Sequence, residues 1–126
     1  MNPESHDEPT PFDLTWPRYA PRRPFPSYRF IPGRAPHPIT HPDGHSHGRP
    51  EPVFAPLTER NWRESGEYLF GVDLYNFAYW WEAHEAWEGL WRVSAEPVAG
   101  FLQGWIQCSG ALIKAHMGDE GGTRRL

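Results

Sequence analysis

Apolar residues recur at helical spacing through the C-terminal half of the chain. Trp62, Leu69 and Leu74 fall on one side of a first helix, for which Thr58 is the predicted N-cap. A threonine hydroxyl suits that position because it accepts one of the backbone N–H groups that the first turn leaves without a partner. The pattern therefore predicts a helix from about residue 58 to about residue 76.

Tryptophan spacing, proline and glycine mark two further helices. Trp80, Trp87 and Trp91 share one face of a second helix, which ends near Ser94. Pro97 suits the first turn of a third helix, and the glycine-rich stretch that follows residue 117 ends it. The apolar face predicted for the third helix includes Phe101, Leu102, Trp105, Cys108 and Leu112.

Proline divides the chain sharply. Fourteen of the 15 prolines lie at or before Pro56, whereas six of the seven tryptophans lie at or after Trp62. A helix cannot persist through such a proline density, because each ring removes a donor and clashes with the preceding turn. The composition predicts a disordered tail over residues 1–24, an extended Pro/His-rich arm over 25–57 and a helical domain over 58–126.

The fold class that these segments predict is all-α, a small three-helix bundle with the arm packed on the helices. A helical unit of this size has a marginal core, so additional covering surface stabilises it. The arm offers apolar side chains for that purpose, namely Phe25, Tyr28, Phe30, Ile31 and Ile39.

Charge and composition narrow the class of protein. The formal net charge is −4, with ten acidic and six basic residues after residue 57, so a general role in nucleic-acid binding is excluded. No apolar run approaches the ~20 residues of a membrane span, and the acidic N-terminus is unlike a secretory signal. Cys108 is the single cysteine, which favours a reducing compartment. We expect a cytoplasmic protein that binds neither nucleic acid nor membranes.

His84 and Glu88 are the leading candidates for chemistry. Their i, i+4 spacing makes the two side chains neighbours on the second helix, where His84 falls within the tryptophan face. One interpretation is a buried pair that orders the bundle, since buried polar groups need partners. The other is a catalytic site, with Glu85 as a third candidate and a carboxyl desolvated by indoles acting as the acid.

A divalent metal is a further hypothesis for this pair. Imidazole with carboxylate suits zinc, manganese or iron(II), but two ligands are too few. We expect His37 or His45 of the arm to supply the rest and to close the pocket on one side. The residues predicted to line the pocket are Trp81, Trp91, Arg92, Gln103 and Gln107. Glu82 points away from His84 and is predicted to lie on the surface, outside the site.

Three segments of the helical domain resemble the domain-of-unknown-function 309 family. They are Gly-Val-Asp-Leu-Tyr-Asn at 71–76, Trp-Glu-Ala-His-Glu-Ala-Trp-Glu-Gly-Leu-Trp-Arg at 81–92, and Phe-Leu-Gln-Gly-Trp-Ile-Gln at 101–107. The arm resembles a form of the family with Pro-Gly at 32–33, Pro-His-Pro at 36–38 and Gly-His-Ser at 44–46. The resemblance implies a small all-helical domain and carries no activity onto these residues. Because the family pattern continues with a further helix after the glycine-rich stop, we expect a partner or the arm to replace it, unless the chain is a shortened form.

Two functional hypotheses follow from these observations. In the first, the chain is an interaction or structural module whose His/Glu/Trp cluster orders the bundle and whose grooves bind a protein partner or another copy. In the alternative, it is a metal-dependent hydrolase-like or small-ligand-binding protein that uses the His84/Glu88 pocket. The sequence leaves open whether the protein is an enzyme.

Overall fold

A computed structural model of the chain describes residues 8–118 and shows an all-α domain. Its helices are α1 (Gly66–Asn76), α2 (Trp80–Val93) and α3 (Val98–His116), preceded by a single 3₁₀ turn at Trp62–Glu64. No β-strand occurs within the described residues. The prediction of a small three-helix bundle is confirmed. None of these helices combines the length and the apolarity needed to cross a bilayer.

The first helix begins later than the sequence pattern predicts. Ser65 is its N-cap, and the Ser65 hydroxyl accepts the backbone N–H of Tyr68 at 3.2 Å. Thr58 instead caps a turn, where its hydroxyl accepts the N–H of Asn61 at 3.1 Å. The predicted start at Thr58 is wrong, because local side-chain hydrogen bonds hold residues 58–61 in a turn that competes with helix.

The middle helix organises the core, since α2 packs against both α1 and α3. Gly71 of α1 permits the closest approach, because a Cβ at that position would overlap the indole of Trp87. The buried core cluster consists of Leu57, Phe70, Leu74, Phe77, Tyr79, Ala83, Trp87, Leu90 and Leu102.

The Pro-rich arm lies against α1 and α2 and completes this core. Phe25 stacks on Tyr79 with ring centroids 4.8 Å apart. Phe30 and Ile31 are buried with 5% and 1% of their surfaces exposed. Contacts with the helices begin before residue 25, where the arm is predicted to start, because Arg18 already reaches α1. Residues 1–7 of the predicted tail lie outside the described residues.

Candidate functional site

The predicted pair on α2 forms along one side of the helix. Nε2 of His84 lies 3.2 Å from Oε2 of Glu88, and Arg92 forms an ion pair with the same carboxylate from the next turn. The Glu85 carboxylate lies further from the His84 ring, at 3.8 Å. Helical i, i+4 spacing thus produces a line from imidazole to carboxylate to guanidinium.

Two contacts orient the imidazole of His84. Nδ1 of His84 is 2.9 Å from the carbonyl oxygen of Trp81, and because a carbonyl oxygen only accepts, Nδ1 is the donor of that hydrogen bond. Nε2 faces a carboxylate oxygen of Glu88, 3.2 Å away. The ring is therefore held between a backbone carbonyl and a side-chain carboxylate of the same helix.

The surroundings of the pair differ from the tryptophan-lined interior that the sequence predicts. The side chains of His84 and Glu88 are 24% and 27% exposed, so water reaches both. The buried side of α2 is centred on Ala83, Trp87 and Leu90, and His84 lies at its margin. Helical periodicity assigned the pair to the correct helix. It placed His84 within the buried side of that helix, whereas the residue lies at the margin of this side.

Two of the other predicted pocket residues contact the pair. Arg92 does so through its ion pair with Glu88, and the ring of Trp81 lies edge-on to the His84 ring with centroids 5.9 Å apart. The remaining three do not line a pocket with them, since Trp91 is exposed on α2 and Gln103 and Gln107 are exposed on α3. The result is an open surface on α2. An open cavity of about 300 Å³ is instead lined by Glu8, Tyr28, Arg29, Ile31, Arg34, Ala35 and Pro36.

The two arm histidines proposed as metal ligands make other contacts, and they do so on different sides of α2. Nδ1 of His37 accepts the backbone N–H groups of Ile39 and Thr40 at 3.2 Å, while its ring lies against Trp81. His45 turns to another side of α2. No group of three or more His, Cys, Asp or Glu side chains between residues 8 and 118 has an arrangement that could hold a metal ion. The predicted metal set is therefore not assembled.

Glu82 corrects the sequence-based interpretation most clearly. It was predicted on the surface, but it is buried with 6% of its surface exposed. Its Oε2 lies 2.7 Å from Nε2 of His45, whose side chain is 3% exposed, and also accepts the backbone N–H of Phe30 at 3.0 Å. Its Oε1 has no hydrogen-bond partner. The arm covers this side of α2, and helical periodicity cannot register a segment that comes from elsewhere in the chain.

The His45–Glu82 pair is held by further arm residues. Nδ1 of His45 lies 2.9 Å from the Ser46 hydroxyl, and the Tyr28 ring packs on the imidazole with centroids 4.6 Å apart. The Tyr28 hydroxyl accepts the His45 backbone N–H and donates to the carbonyl of Pro36. The Gly-His-Ser segment of the arm is thus fastened to the Glu-Ala-His-Glu segment of α2.

Asp73 is a second anchoring carboxylate, and sequence reasoning did not single it out. It is fully buried on α1 and accepts three hydrogen bonds from the N-terminal part of the arm. The donors are Arg18 Nε at 2.9 Å and the backbone N–H groups of Tyr19 and Ala20, both at 2.8 Å. The sequence signal that could have identified it is an aspartate next to Leu74 in an otherwise apolar helix. A carboxylate buried at such a position needs several hydrogen-bond donors, which another segment must supply.

The third helix has two apolar sides, and the bundle uses one of them. Its buried side includes Ala99, Leu102, Ser109 and Ile113. We call the opposite side the outer face of α3, and it consists of Gly100, Phe101, Gly104, Trp105, Cys108, Ala111, Leu112 and Ala115. At 3.6 residues per turn, this face spans about 140° of the helix and contains no Asp, Glu, Lys, Arg or His.

Aromatic rings stand on the outer face of α3 with large exposed fractions. Phe101 is 51% exposed and Trp105 is 40% exposed, and the two rings meet edge-on. Trp105 also borders the core, with its ring 5.4 Å from that of Tyr75. Cys108 is exposed beside them. The predicted apolar face of this helix therefore divides, since Leu102 is buried while Phe101, Trp105 and Cys108 face outward.

Taken with the fold, these features define a small all-α domain with an arm packed on its helices and a partly exposed apolar helix face. Residues 68–126 match the model of a family described as Domain of unknown function (DUF309). This match covers most of the helical part of the chain, and it confirms the resemblance of the motifs at 71–76, 81–92 and 101–107. Comparison with curated proteins gives no match, and neither does comparison with solved structures.

Proposed function

We propose that the protein is an interaction module whose outer face of α3 binds an uncharged, apolar helical surface of a polypeptide. The observation that carries this proposal is the exposure of Phe101 and Trp105, 51% and 40%, on a helix face without ionisable side chains other than the Cys108 thiol. Single exposed apolar residues are ordinary on protein surfaces, but contiguous apolar faces are typical of binding sites.

The energy available at this face supports the proposal. Fully covered aromatic side chains bury about 150–250 Å² each, so the two rings retain about 200 Å² of apolar surface to lose. At about 25 cal/mol per Å², covering that area contributes about 5 kcal/mol before the cost of association. Aromatic residues of this kind dominate binding energy in interfaces.

Gly104 adds a separate argument. It lies in the middle of α3, where glycine costs about 1 kcal/mol relative to alanine. Nothing lies within 4 Å of the position that a Cβ would occupy, so packing within the described part of the chain does not require a glycine there. Close approach of another helix backbone is a physical reason to retain it.

The polar pairs fit the same proposal in a supporting role. The His45–Glu82 pair and Asp73 fasten the arm, and the His84–Glu88–Arg92 line stabilises α2 along its length. A metal-dependent hydrolase or a ligand pocket at His84 receives less support. The pair lies on an open side of α2, and residues 8–118 bring no third metal ligand to it.

A site-specific photo-crosslinker tests the proposed face. Benzoylphenylalanine replaces Phe101 in the full chain, and the matched control carries it at Val53, which is 94% exposed on the arm. Irradiation in cells should give a discrete adduct from position 101 and none from position 53. The adduct partner, identified by mass spectrometry and purified, should bind wild-type protein at least ten times more tightly than Phe101→Glu. Absence of a specific adduct at position 101 would refute the proposal that this face binds a partner.

A further inference from the structure

We propose that Ser46, His45 and Glu82 form a nucleophilic triad, in which the Ser46 hydroxyl attacks activated esters and His45 takes its proton. This activity goes beyond the proposed function, because it uses the arm and α2 and does not involve the outer face of α3. The proposal is carried by the order of the contacts among the three groups, by the burial of two of them and by the turn that holds the third.

A hydroxyl, an imidazole and a carboxylate lie in one hydrogen-bonded line. Nδ1 of His45 is 2.9 Å from Oγ of Ser46, and Nε2 of the same ring is 2.7 Å from Oε2 of Glu82. An ionised carboxylate only accepts hydrogen bonds, so Nε2–H donates to Glu82. Nδ1 of the neutral ring is then the acceptor, and the Ser46 hydroxyl donates to it. This order is that of a serine nucleophile, its base and the group that orients the base.

Burial supports the same roles. The side chains of His45 and Glu82 are 3% and 6% exposed, whereas Ser46 is half-buried. Oε1 of Glu82 has no hydrogen-bond partner among residues 8–118, so the hydrogen bonds of this carboxylate are made through Oε2. When His45 takes the Ser46 proton, an imidazolium forms beside the carboxylate. Their attraction is stronger in a desolvated site than in water, and it stabilises the charge that develops during the attack.

The turn that carries Ser46 is held on both sides. The Ser46 backbone N–H donates to the carbonyl oxygen of Pro38 at 2.9 Å, and the His45 N–H donates to the Tyr28 hydroxyl at 3.2 Å. Gly44 allows this close approach, because a Cβ there would overlap the Pro38 carbonyl group. The hydroxyl and its base are therefore fixed relative to each other before a substrate arrives, which lowers the entropic cost of the attack.

Backbone donors near Ser46 define the expected substrate class. Acyl transfer to serine is fastest where N–H groups stabilise the oxyanion. The N–H groups of Ser46 and His47 instead donate to the carbonyl oxygens of Pro38 and Gly44, at 2.9 and 3.1 Å. We therefore expect small esters with a good leaving group, such as aryl esters, whose carbonyl carbon is attacked with less stabilisation of the oxyanion. Amides and peptides should not be cleaved.

The proposed reaction balances with water as its co-reactant. Oγ of Ser46 forms a bond to the ester carbonyl carbon while the hydroxyl proton moves to Nδ1 of His45. The tetrahedral oxyanion collapses, the bond to the leaving oxygen breaks, and Nδ1–H returns the proton to the departing alcohol or phenol. Water then attacks the acyl-Ser46 ester by the same route, which releases the carboxylic acid and restores the Ser46 hydroxyl.

Labelling of the full wild-type chain with an alkyl fluorophosphonate tests the nucleophile. Oγ of Ser46 bonds to phosphorus, fluoride leaves, and the proton passes to His45. The internal controls are Ser27, which is exposed, and Ser94, which is half-buried and accepts a backbone N–H. Peptide mapping by mass spectrometry should find at least ten times more label on Ser46 than on either control. This comparison is made within one molecule and needs no variant.

His45→Gln tests the base. A glutamine amide can still donate to Glu82, but it has no basic nitrogen to take the Ser46 proton. Labelling of Ser46 should therefore fall at least tenfold, since general-base catalysis contributes about 10²–10⁴-fold. Circular dichroism should show an unchanged helical fold.

Turnover is measured with p-nitrophenyl acetate on the full chain carrying Cys108→Ala, because a free thiol is also acylated. A burst of about one p-nitrophenolate per chain should precede slower hydrolysis, and Ser46→Ala should abolish the burst. Glu82 is a positioning residue, and in Glu82→Gln the amide oxygen still accepts Nε2–H but lacks the charge that stabilises the imidazolium. The acylation rate constant of that variant should fall at least tenfold, while KM changes less than twofold.

Equal labelling of Ser46 and Ser27, or labelling of Ser46 that survives His45→Gln, would overturn the triad. A burst that persists in Ser46→Ala, or an acylation rate unchanged in Glu82→Gln, would overturn it as well. The crosslink at position 101 tests the outer face of α3 separately, so either proposal can fail while the other stands.

Discussion

Glu82→Ala is expected to be among the most destabilising single substitutions in this chain. The carboxylate is buried with 6% of its surface exposed, and it accepts hydrogen bonds from His45 and from the backbone N–H of Phe30. Alanine leaves Nε2 of the buried His45 imidazole and the backbone N–H of Phe30 without a partner. Removing one member of a buried ionic pair costs about 3–5 kcal/mol, because the remaining group keeps its desolvation penalty.

That loss is large compared with the total stability of a small domain, which is about 5–15 kcal/mol. The free energy of unfolding should be measured by urea denaturation at neutral pH, followed by tryptophan fluorescence and by far-ultraviolet circular dichroism. If the arm unfolds together with the helices, the two signals change at the same urea concentration. The arm supplies part of the core, so we expect a single transition.

Two further variants distinguish loss of the His45–Glu82 contact from nonspecific destabilisation. Glu82→Gln should cost only about 1 kcal/mol, because an amide oxygen in the place of Oε2 still accepts both hydrogen bonds, and the amide nitrogen takes the place of the unpartnered Oε1. Glu85→Ala should change stability by less than about 0.5 kcal/mol, since the Glu85 side chain is 43% exposed.

A double-mutant cycle with His45→Ala completes the test. The coupling free energy between the two positions should be about 1.5–3 kcal/mol, the range of hydrogen bonds to charged groups. The assignment of Glu82 as the anchor of the arm is refuted if Glu82→Ala costs less than about 1 kcal/mol, or if the two substitutions are additive.

Two further outcomes are expected. Asp73→Asn should lower the free energy of unfolding by about 2–3 kcal/mol, because the amide nitrogen replaces one accepting oxygen and then faces an N–H donor. Urea titration measures the loss, and a change near zero would contradict the role of Asp73. At alkaline pH, burial raises the pKa of Tyr75 above its usual 10.0, with a smaller contribution from Cys108. A raised native pKa contributes stability that is complete below the unfolded pKa and is lost as pH rises from about 10 through the native value. Urea midpoints at pH 8 and pH 11 should therefore fall less in Tyr75→Phe than in wild type, and an equal fall would contradict this linkage.

Most features that depend on residues close together in sequence were predicted correctly, because local geometry decides them. The C-terminal end of α2 and both ends of α3 follow from tryptophan spacing, proline and glycine, because these act within one or two turns. The His84–Glu88 contact follows for the same reason, since i, i+4 neighbours on a helix meet whatever surrounds them. The start of α1 did not follow, because a turn capped by Thr58 competes locally with the helix.

Tertiary packing alone decided which sides of the helices are covered. Periodicity assigns residues to a side of a helix, but it contains no information about segments that arrive from 40 or 50 residues away. The arm therefore buried Glu82, which the pattern placed in water, through Phe30 and His45. Conversely, Phe101 and Trp105 satisfy the pattern of a core face and yet remain exposed, because α2 covers only the side of α3 that carries Leu102.

The sequence by itself thus determined that this chain forms three helices and that His84 pairs with Glu88. Long-range packing decided that the arm anchors at Asp73 and Glu82 and that, within residues 8–118, Phe101 and Trp105 of α3 stay largely exposed. The physical reason is that helix formation and i, i+4 contacts are decided within a few residues, whereas burial depends on which distant surfaces exclude water together.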